Sequence, residues 1–127
     1  LKAPSGLPLI QHSLNMMLDF HQQGRISLER IIEKMCHAPA ICFEVKDRGY
    51  LREGYFADMV LLDLNKSYTV TGAPSPNANV LYKCGWSPRE GYTFKGVVDT
   101  TFVNGFATYR HGSFNESQRG MRLEFAR

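Results

Sequence analysis

Residues 49–64, GYLREGYFADMVLLDL, divide a helical first third from a strand-rich remainder. Gly49 and Gly54 bracket a short polar arm, Tyr50 to Glu53, and each glycine lets the chain turn through positive φ, where other residues are strained. From Ala57 the character changes to a near-continuous apolar run, Met59 to Leu62, set between Asp58 and Asp63. Such a run is too short for a helix and predicts a strand covered on both faces. The two flanking carboxylates are then turn and strand-end groups rather than an acid/base pair.

Upstream, Pro4, Gly6 and Pro8 predict an irregular loop, because proline removes a backbone donor and glycine admits unusual dihedrals. Ile10, Leu14, Met17, Leu18 and His21 recur at helical spacing and predict an amphipathic helix over residues 9–22, with Gln11, Asn15, Asp19 and Gln22 turned to polar surroundings. Gly24 ends it. Ser27 is placed to cap a second helix, with Glu29 opposing the helix dipole and Leu28, Ile31, Ile32, Met35 and Cys36 forming the buried stripe. Pro39 either stops that helix or opens a short helical turn over residues 40–43.

Downstream, residues 67–71, SYTVT, predict a second strand, and GAPSPNAN at 72–79 a loop. Residues 82–92 read as a structured loop with Trp86, the single tryptophan, as its packing anchor. Asn104-Gly105 predicts a type I′ hairpin turn. Counting outward pairs Val103 with Phe106, Phe102 with Ala107, Thr101 with Thr108, Thr100 with Tyr109 and Asp99 with Arg110. Residues 121–125, MRLEF, alternate strictly and predict a last strand.

At 127 residues, 43% hydrophobic and 12% aromatic, the chain has the size and composition to build a core. No stretch is apolar enough to span a bilayer, and the first residues have neither a signal peptide's apolar centre nor an initiator Met, so the chain is read as a piece of a longer one. Lys and Arg number 15 against 12 Asp and Glu and are dispersed, which argues against a nucleic-acid surface. Cys36, Cys42 and Cys84 form no CxxC or finger pattern and read as reduced thiols in a cytoplasmic protein.

The glycine, two residues, then Ala57-Asp58-Met59-Val60-Leu61-Leu62-Asp63 resemble the GxxADxVxxD segment near the C-terminal end of amidohydrolase-superfamily enzymes. The run Val80-Leu81-Tyr82-Lys83-Cys84-Gly85-Trp86-Ser87-Pro88-Arg89-Glu90-Gly91, with Phe94-Lys95-Gly96 and the Thr101-Phe102-Val103-Asn104-Gly105 turn, narrows the likeness to the C-terminal part of the dihydroorotases. The resemblance implies an α+β segment: the final loop and helices of a (β/α)8 barrel in residues 1–47, then a small β-sandwich subdomain in 48–127. Barrel enzymes of this kind carry the active site on loops at the strands' C-terminal ends. By the same resemblance, residues 3–9 are similar to the loop after the last barrel strand, which offers backbone groups to a bound pyrimidine ring, and the substrate-binding positions fall on Ser5 and Gly6.

Chemistry of that family implies two metal ions, usually zinc, that polarise the amide carbonyl and generate hydroxide, with a carboxylate to move the proton. The implied ligands, an HxH pair, two further histidines, a carboxylated lysine and an aspartate, find no counterpart among His12, His21, His37 and His111. His12 and His21 are nine apart, on opposite sides of one helix, and cannot chelate a single ion there. No catalytic residue and no metal ligand is therefore assigned in 1–127. The implied reaction interconverts N-carbamoyl-aspartate and dihydroorotate. The implied partners are that small-molecule substrate, the remainder of the protein's own barrel and a second copy in a homodimer, with no nucleic acid and no membrane. A hydantoinase- or allantoinase-type hydrolase is the alternative within the family, and a non-catalytic interaction module the alternative outside it.

Overall fold

The computed structural model describes residues 6–126. The chain divides into two compact units, one of residues up to Arg25 with Leu64–Val97, the other of Ile26–Asp63 with Val98 onward. A sheet of four strands runs in the order β1 (Met59–Thr69), β2 (Thr93–Val103), β3 (Phe106–Arg110), β4 (Ser113–Phe114). The β2–β3 and β3–β4 pairs are antiparallel.

In the first unit a 3₁₀ turn, Ile10–His12, leads into helix α1, Ser13–Gln22. Gly24, at φ 70°, closes it with the paired bonds of a Schellman cap. The Gly24 N–H donates to the His21 carbonyl at 2.8 Å and the Arg25 N–H to that of Phe20 at 2.9 Å. The core of this unit is Leu18, Val70 and Phe94, all 1% exposed. Gly96 lies against Leu18, whose Cδ1 would stand 3.0 Å from a Cβ at that position, so the strand backbone approaches the helix as closely as glycine allows.

Leu18 of α1 is buried as expected, but the face turned inward also carries the polar stripe. Asn15 is buried and donates to the Gly96 carbonyl at 3.0 Å, Gln11 bonds residues 79–82, and Asp19 accepts from the Tyr92 hydroxyl. Positions 11, 15 and 19 form one stripe at fourfold spacing. Ile10, expected on the apolar face, is 86% exposed.

In the second unit, the Ser27 hydroxyl accepts the Arg30 N–H and caps α2, Leu28–Ile32. The helical path continues through a π turn, Glu33–His37, into α3, Ala38–Cys42. Of the two roles open to Pro39 the second holds: it stands in the first turn of the short helix α3 and does not stop the helical path. A proline has no N–H and its ring crowds the carbonyl four residues back; the wider π turn, in which the Ala38 N–H bonds the Glu33 carbonyl, opens the helix just ahead of it. Ile31 and Ala40 are buried, whereas Ile32, Met35 and Cys36 are exposed.

The hairpin forms where the Asn-Gly pair places it, with Asn104 at φ 52° and Gly105 at φ 81°. Val103↔Phe106 and Phe102↔Ala107 pair as counted, but a bulge at Thr108 then shifts the register to Thr101↔Tyr109 and Thr100↔Arg110. Asp99 consequently meets His111 rather than Arg110, at 3.0 Å from Nδ1. Three further expectations are corrected. Residues 67–69 continue β1 instead of starting a new strand. Residues 121–125 make a single bridge, Val45↔Phe125, flanked by bonds from Lys46 N–H to Glu124 and Ala126 N–H to Glu44, rather than a strand. The apolar run of β1 is not covered: Val60, Leu61 and Leu62 are 44%, 50% and 37% exposed.

Candidate functional site

Of the two positions expected to meet substrate, Ser5 lies outside the described residues. Gly6 stands exposed at φ 118°, with nothing within 4 Å of where a Cβ would sit. Its backbone conformation, not crowding, is what calls for glycine there. The segment from Gly6 to Leu9 then runs into the 3₁₀ turn, where the Leu9 carbonyl accepts the His12 N–H at 3.0 Å and the Ile10 carbonyl the Ser13 hydroxyl at 2.9 Å.

Gln11 holds the end of this loop. Its Nε2 donates to the Asn79 carbonyl at 2.8 Å and its Oε1 accepts the Leu81 N–H at 2.8 Å, so the side-chain amide pairs with residues 79–81 as one strand pairs with another. The Gln11 backbone N–H, which the helix start leaves without an intrahelical acceptor, donates to the Tyr82 hydroxyl at 2.7 Å. Beneath it His12 is fully buried, its ring stacked 5.7 Å from Phe94 and edge-on to Tyr82 at 5.9 Å, with Nδ1 3.2 Å from the Tyr68 hydroxyl. Burial, helped by the positive charge of Arg89, pushes the His12 pKa below the ordinary imidazole value. His12 is therefore a neutral packing ring at pH 7.

The loop that receives Gln11 is braced on its own account. Ala73 N–H bonds the Gly85 carbonyl at 2.8 Å, Ser87 N–H the Glu90 carboxylate at 3.1 Å, and the Glu90 side chain fills the space over Gly72, where a Cβ would meet Oε1 at 2.3 Å. Buried Ser87 and the Glu90 carboxylate, rather than Trp86, anchor residues 82–92; Trp86 is 45% exposed.

In the second unit the Ala57-Asp58 pair has a structural task. Asp58 accepts the Asn104 N–H at 2.7 Å and pairs with buried Arg48, whose guanidinium also lies 4.1 Å from the Phe56 ring centre. Ala57 accepts the Gly105 N–H at 2.9 Å, and the Asn104 side chain accepts from Met121 N–H at 2.9 Å. The motif thus seizes the hairpin turn by both of its central residues.

Among the described residues, no group of three or more His, Cys, Asp or Glu stands close enough to hold a metal ion. His37 is stacked on Tyr50 at 4.1 Å and His111 faces Asp99. The donor set present does not fit a metal centre. Nor is any helix of the described residues long and apolar enough to cross a membrane.

Residues 6–107, from the glycine of the entry loop through the hairpin, match the amidohydrolase family. The chain belongs to it. Within that family the segment is 30% identical over 119 residues to the dihydroorotase of Pyrococcus horikoshii, covering 94% of this chain and 27% of the relative. It is 34% identical over 113 residues to the L-hydantoinase of Paenarthrobacter aurescens, covering 87% and 24%. Among solved structures, L-hydantoinase (dihydropyrimidinase) from Arthrobacter aurescens superposes with a TM-score of 0.78 at 33% identity over 90% of this chain and 25% of its own. D-hydantoinase from Bacillus sp. AR9 superposes with a TM-score of 0.73 at 26% identity, over 90% and 24%. The amidohydrolase segment spans about a quarter of the length of these relatives.

Sequence reasoning placed the loop and the Asp58 turn but missed Gln11, Asn15 and Asp19 as bonded residues. Their fourfold spacing was the available signal, though the same pattern marks a solvated helix face.

Proposed function

We propose that residues 1–127 are the C-terminal portion of a dihydroorotase-like cyclic amide hydrolase. In this reading, 1–47 supply the last loop and helices of a (β/α)8 barrel and 48–127 a small β-sandwich subdomain. The reaction is the reversible conversion of N-carbamoyl-aspartate and dihydroorotate in pyrimidine synthesis, in a cytoplasmic homodimer. The catalytic metals, two zinc ions, and their ligands belong to the rest of the protein. This segment's contribution is binding: Ser5 and Gly6 present backbone groups to the ring of the substrate. The observation that carries the reading is the family match over 6–107 together with about 30% identity to dihydroorotases across 94% of the chain. The 34% identity to an L-hydantoinase favours a second reading, the same cyclic-amide chemistry on a hydantoin ring.

The test is to assay a full-length protein and residues 1–127 side by side with zinc on dihydroorotate and on a 5-substituted hydantoin. Turnover of dihydroorotate by the full-length protein alone is expected. Preference for the hydantoin selects the second reading, turnover by 1–127 alone overturns the assignment of the reacting groups, and a full-length protein inert on both substrates overturns the hydrolase reading in favour of an interaction module.

A further inference from the structure

We infer that Gln11 is a positioning residue for the substrate loop, a role that rests on the dihydroorotase-like reading of Gly6. Three bonds converge on this one residue from segments 68 to 71 residues away: its amide to Asn79 and Leu81, and its N–H to Tyr82. No other contact of the stripe lies so near the loop. Asn15 and Asp19 stand one and two turns further along α1, roughly 6 and 12 Å from Gln11 at about 1.5 Å rise per residue. Gln11 is five residues from Gly6, so it sets where the loop leaves the helix.

The clasp is also stiff. A side-chain amide bonded at both ends has its rotation fixed, and Tyr82, whose hydroxyl accepts from Gln11 N–H, has its ring packed edge-on against the buried His12. A backbone that presents its own N–H and C=O to a ring binds it only from the right place, so a displaced loop weakens hydrogen bonds that substrate and transition state share. Gln11 acts through the loop and touches no reacting atom.

The bond to Leu81 is exposed and that to Asn79 only part-buried, so water can take over the lost bonds when Gln11 is changed, and Gln11→Glu is the milder variant should Gln11→Leu fold poorly. In the full-length protein, Gln11→Leu removes both ends of the amide clasp, whereas Gln11→Glu keeps the acceptor for Leu81 N–H and loses the donor to Asn79. The expected result for Gln11→Leu is a KM for dihydroorotate raised by about ten- to a hundredfold with kcat changed much less, as loss of a ground-state binding contact requires. Gln11→Glu falls between it and wild type.

Hydrogen exchange gives an arm that needs no activity: in Gln11→Leu the amides of Leu81, Gln11 and His12, which donate to the Gln11 side chain, the Tyr82 hydroxyl and the Leu9 carbonyl, exchange at least tenfold faster, while that of Gly105 in the hairpin does not change. Unchanged exchange overturns the clasp. Faster exchange with an unchanged KM in an active enzyme overturns the link between clasp and substrate. A wild-type protein that turns over no cyclic amide sinks the functional reading itself, and exchange then decides the clasp alone.

Discussion

Gly49→Ala compared with Gly54→Ala separates two effects that usually travel together. Both glycines sit at φ 82°, so alanine meets the same backbone strain at each, about 1–2 kcal/mol. Their surroundings differ. A Cβ at Gly54 would meet nothing within 4 Å, whereas at Gly49 it would stand 2.5 Å from the Ala40 Cβ and 3.0 Å from the Cys36 carbonyl oxygen. Neither contact belongs to a flexible side chain, so the backbone of residues 36–40 must move, at an overpacking cost of about 1–3 kcal/mol. Gly54→Ala is therefore expected to lose about 1–2 kcal/mol and Gly49→Ala about 2–5 kcal/mol, the difference being the clash alone. The gain from a less flexible unfolded chain is common to both and cancels. Urea unfolding of full-length variants, followed by far-ultraviolet circular dichroism, reads the two losses from the shift in midpoint at constant slope. Equal losses, within about 0.5 kcal/mol, would show that Gly49 is required only for its dihedral and that the close packing of the arm on α3 contributes nothing.

Two other perturbations follow from the same bonds. Asp58→Asn keeps an acceptor for the Asn104 N–H but leaves the Arg48 guanidinium, 7% exposed, without its counter-charge; because Asp58 itself is about a third exposed, the expected loss is about 1–3 kcal/mol, below that of a fully buried pair, and a melting temperature unchanged by Asp58→Asn would refute the role of the pair. His12, whose folded pKa lies below its unfolded value of about 6.5, binds fewer protons folded than unfolded, so its contribution is fully present above pH 6.5 and is lost as the pH falls through the folded value; His12→Phe should flatten the fall in melting temperature between pH 7 and 5, and an unaltered slope would mean that the imidazole titrates freely.

The elements that could be read from sequence are those whose cause is local. Asn104-Gly105 forms its turn because both residues tolerate positive φ, Ser27 caps because its hydroxyl reaches the Arg30 N–H, and Gly24 closes α1 because a left-handed residue is needed there. The failures begin where the cause is distant. The bulge at Thr108 depends on its carbonyl accepting the Asn115 N–H at 2.8 Å and its hydroxyl reaching the Thr101 carbonyl at 3.3 Å, and no feature of the two hairpin strands announces that competition. Likewise, MRLEF has the alternation of a strand, yet among the described residues it makes a single bridge, Val45↔Phe125, while Met121 N–H bonds the Asn104 side chain, so the pattern remains without a ladder.

The candidate site was legible as a loop and illegible as a mechanism of holding that loop, for a reason that also explains the uncovered strand. Apolar periodicity reports which faces a sequence buries in its complete setting, while polar side chains bond whatever is at hand. Along the 3₁₀ turn and α1 the polar residues Gln11, Asn15 and Asp19 find their acceptors and donors within residues 79–96, whereas Ile10 is left open; in β1 the run Val60 to Leu62 is likewise open. Both departures have the same sign: these polar side chains are bonded inside this segment, and these apolar ones are not covered by it. A chain that spans about a quarter of its relatives' length should behave in this way if the missing partner is the rest of the same protein, because burial of side chains such as these, at about 25 cal/mol per Å², is the main force that would dock the segment. On the dihydroorotase-like reading proposed above, the two have different tasks: the open apolar faces would meet the rest of the protein, and the clasp fixes the loop to the segment.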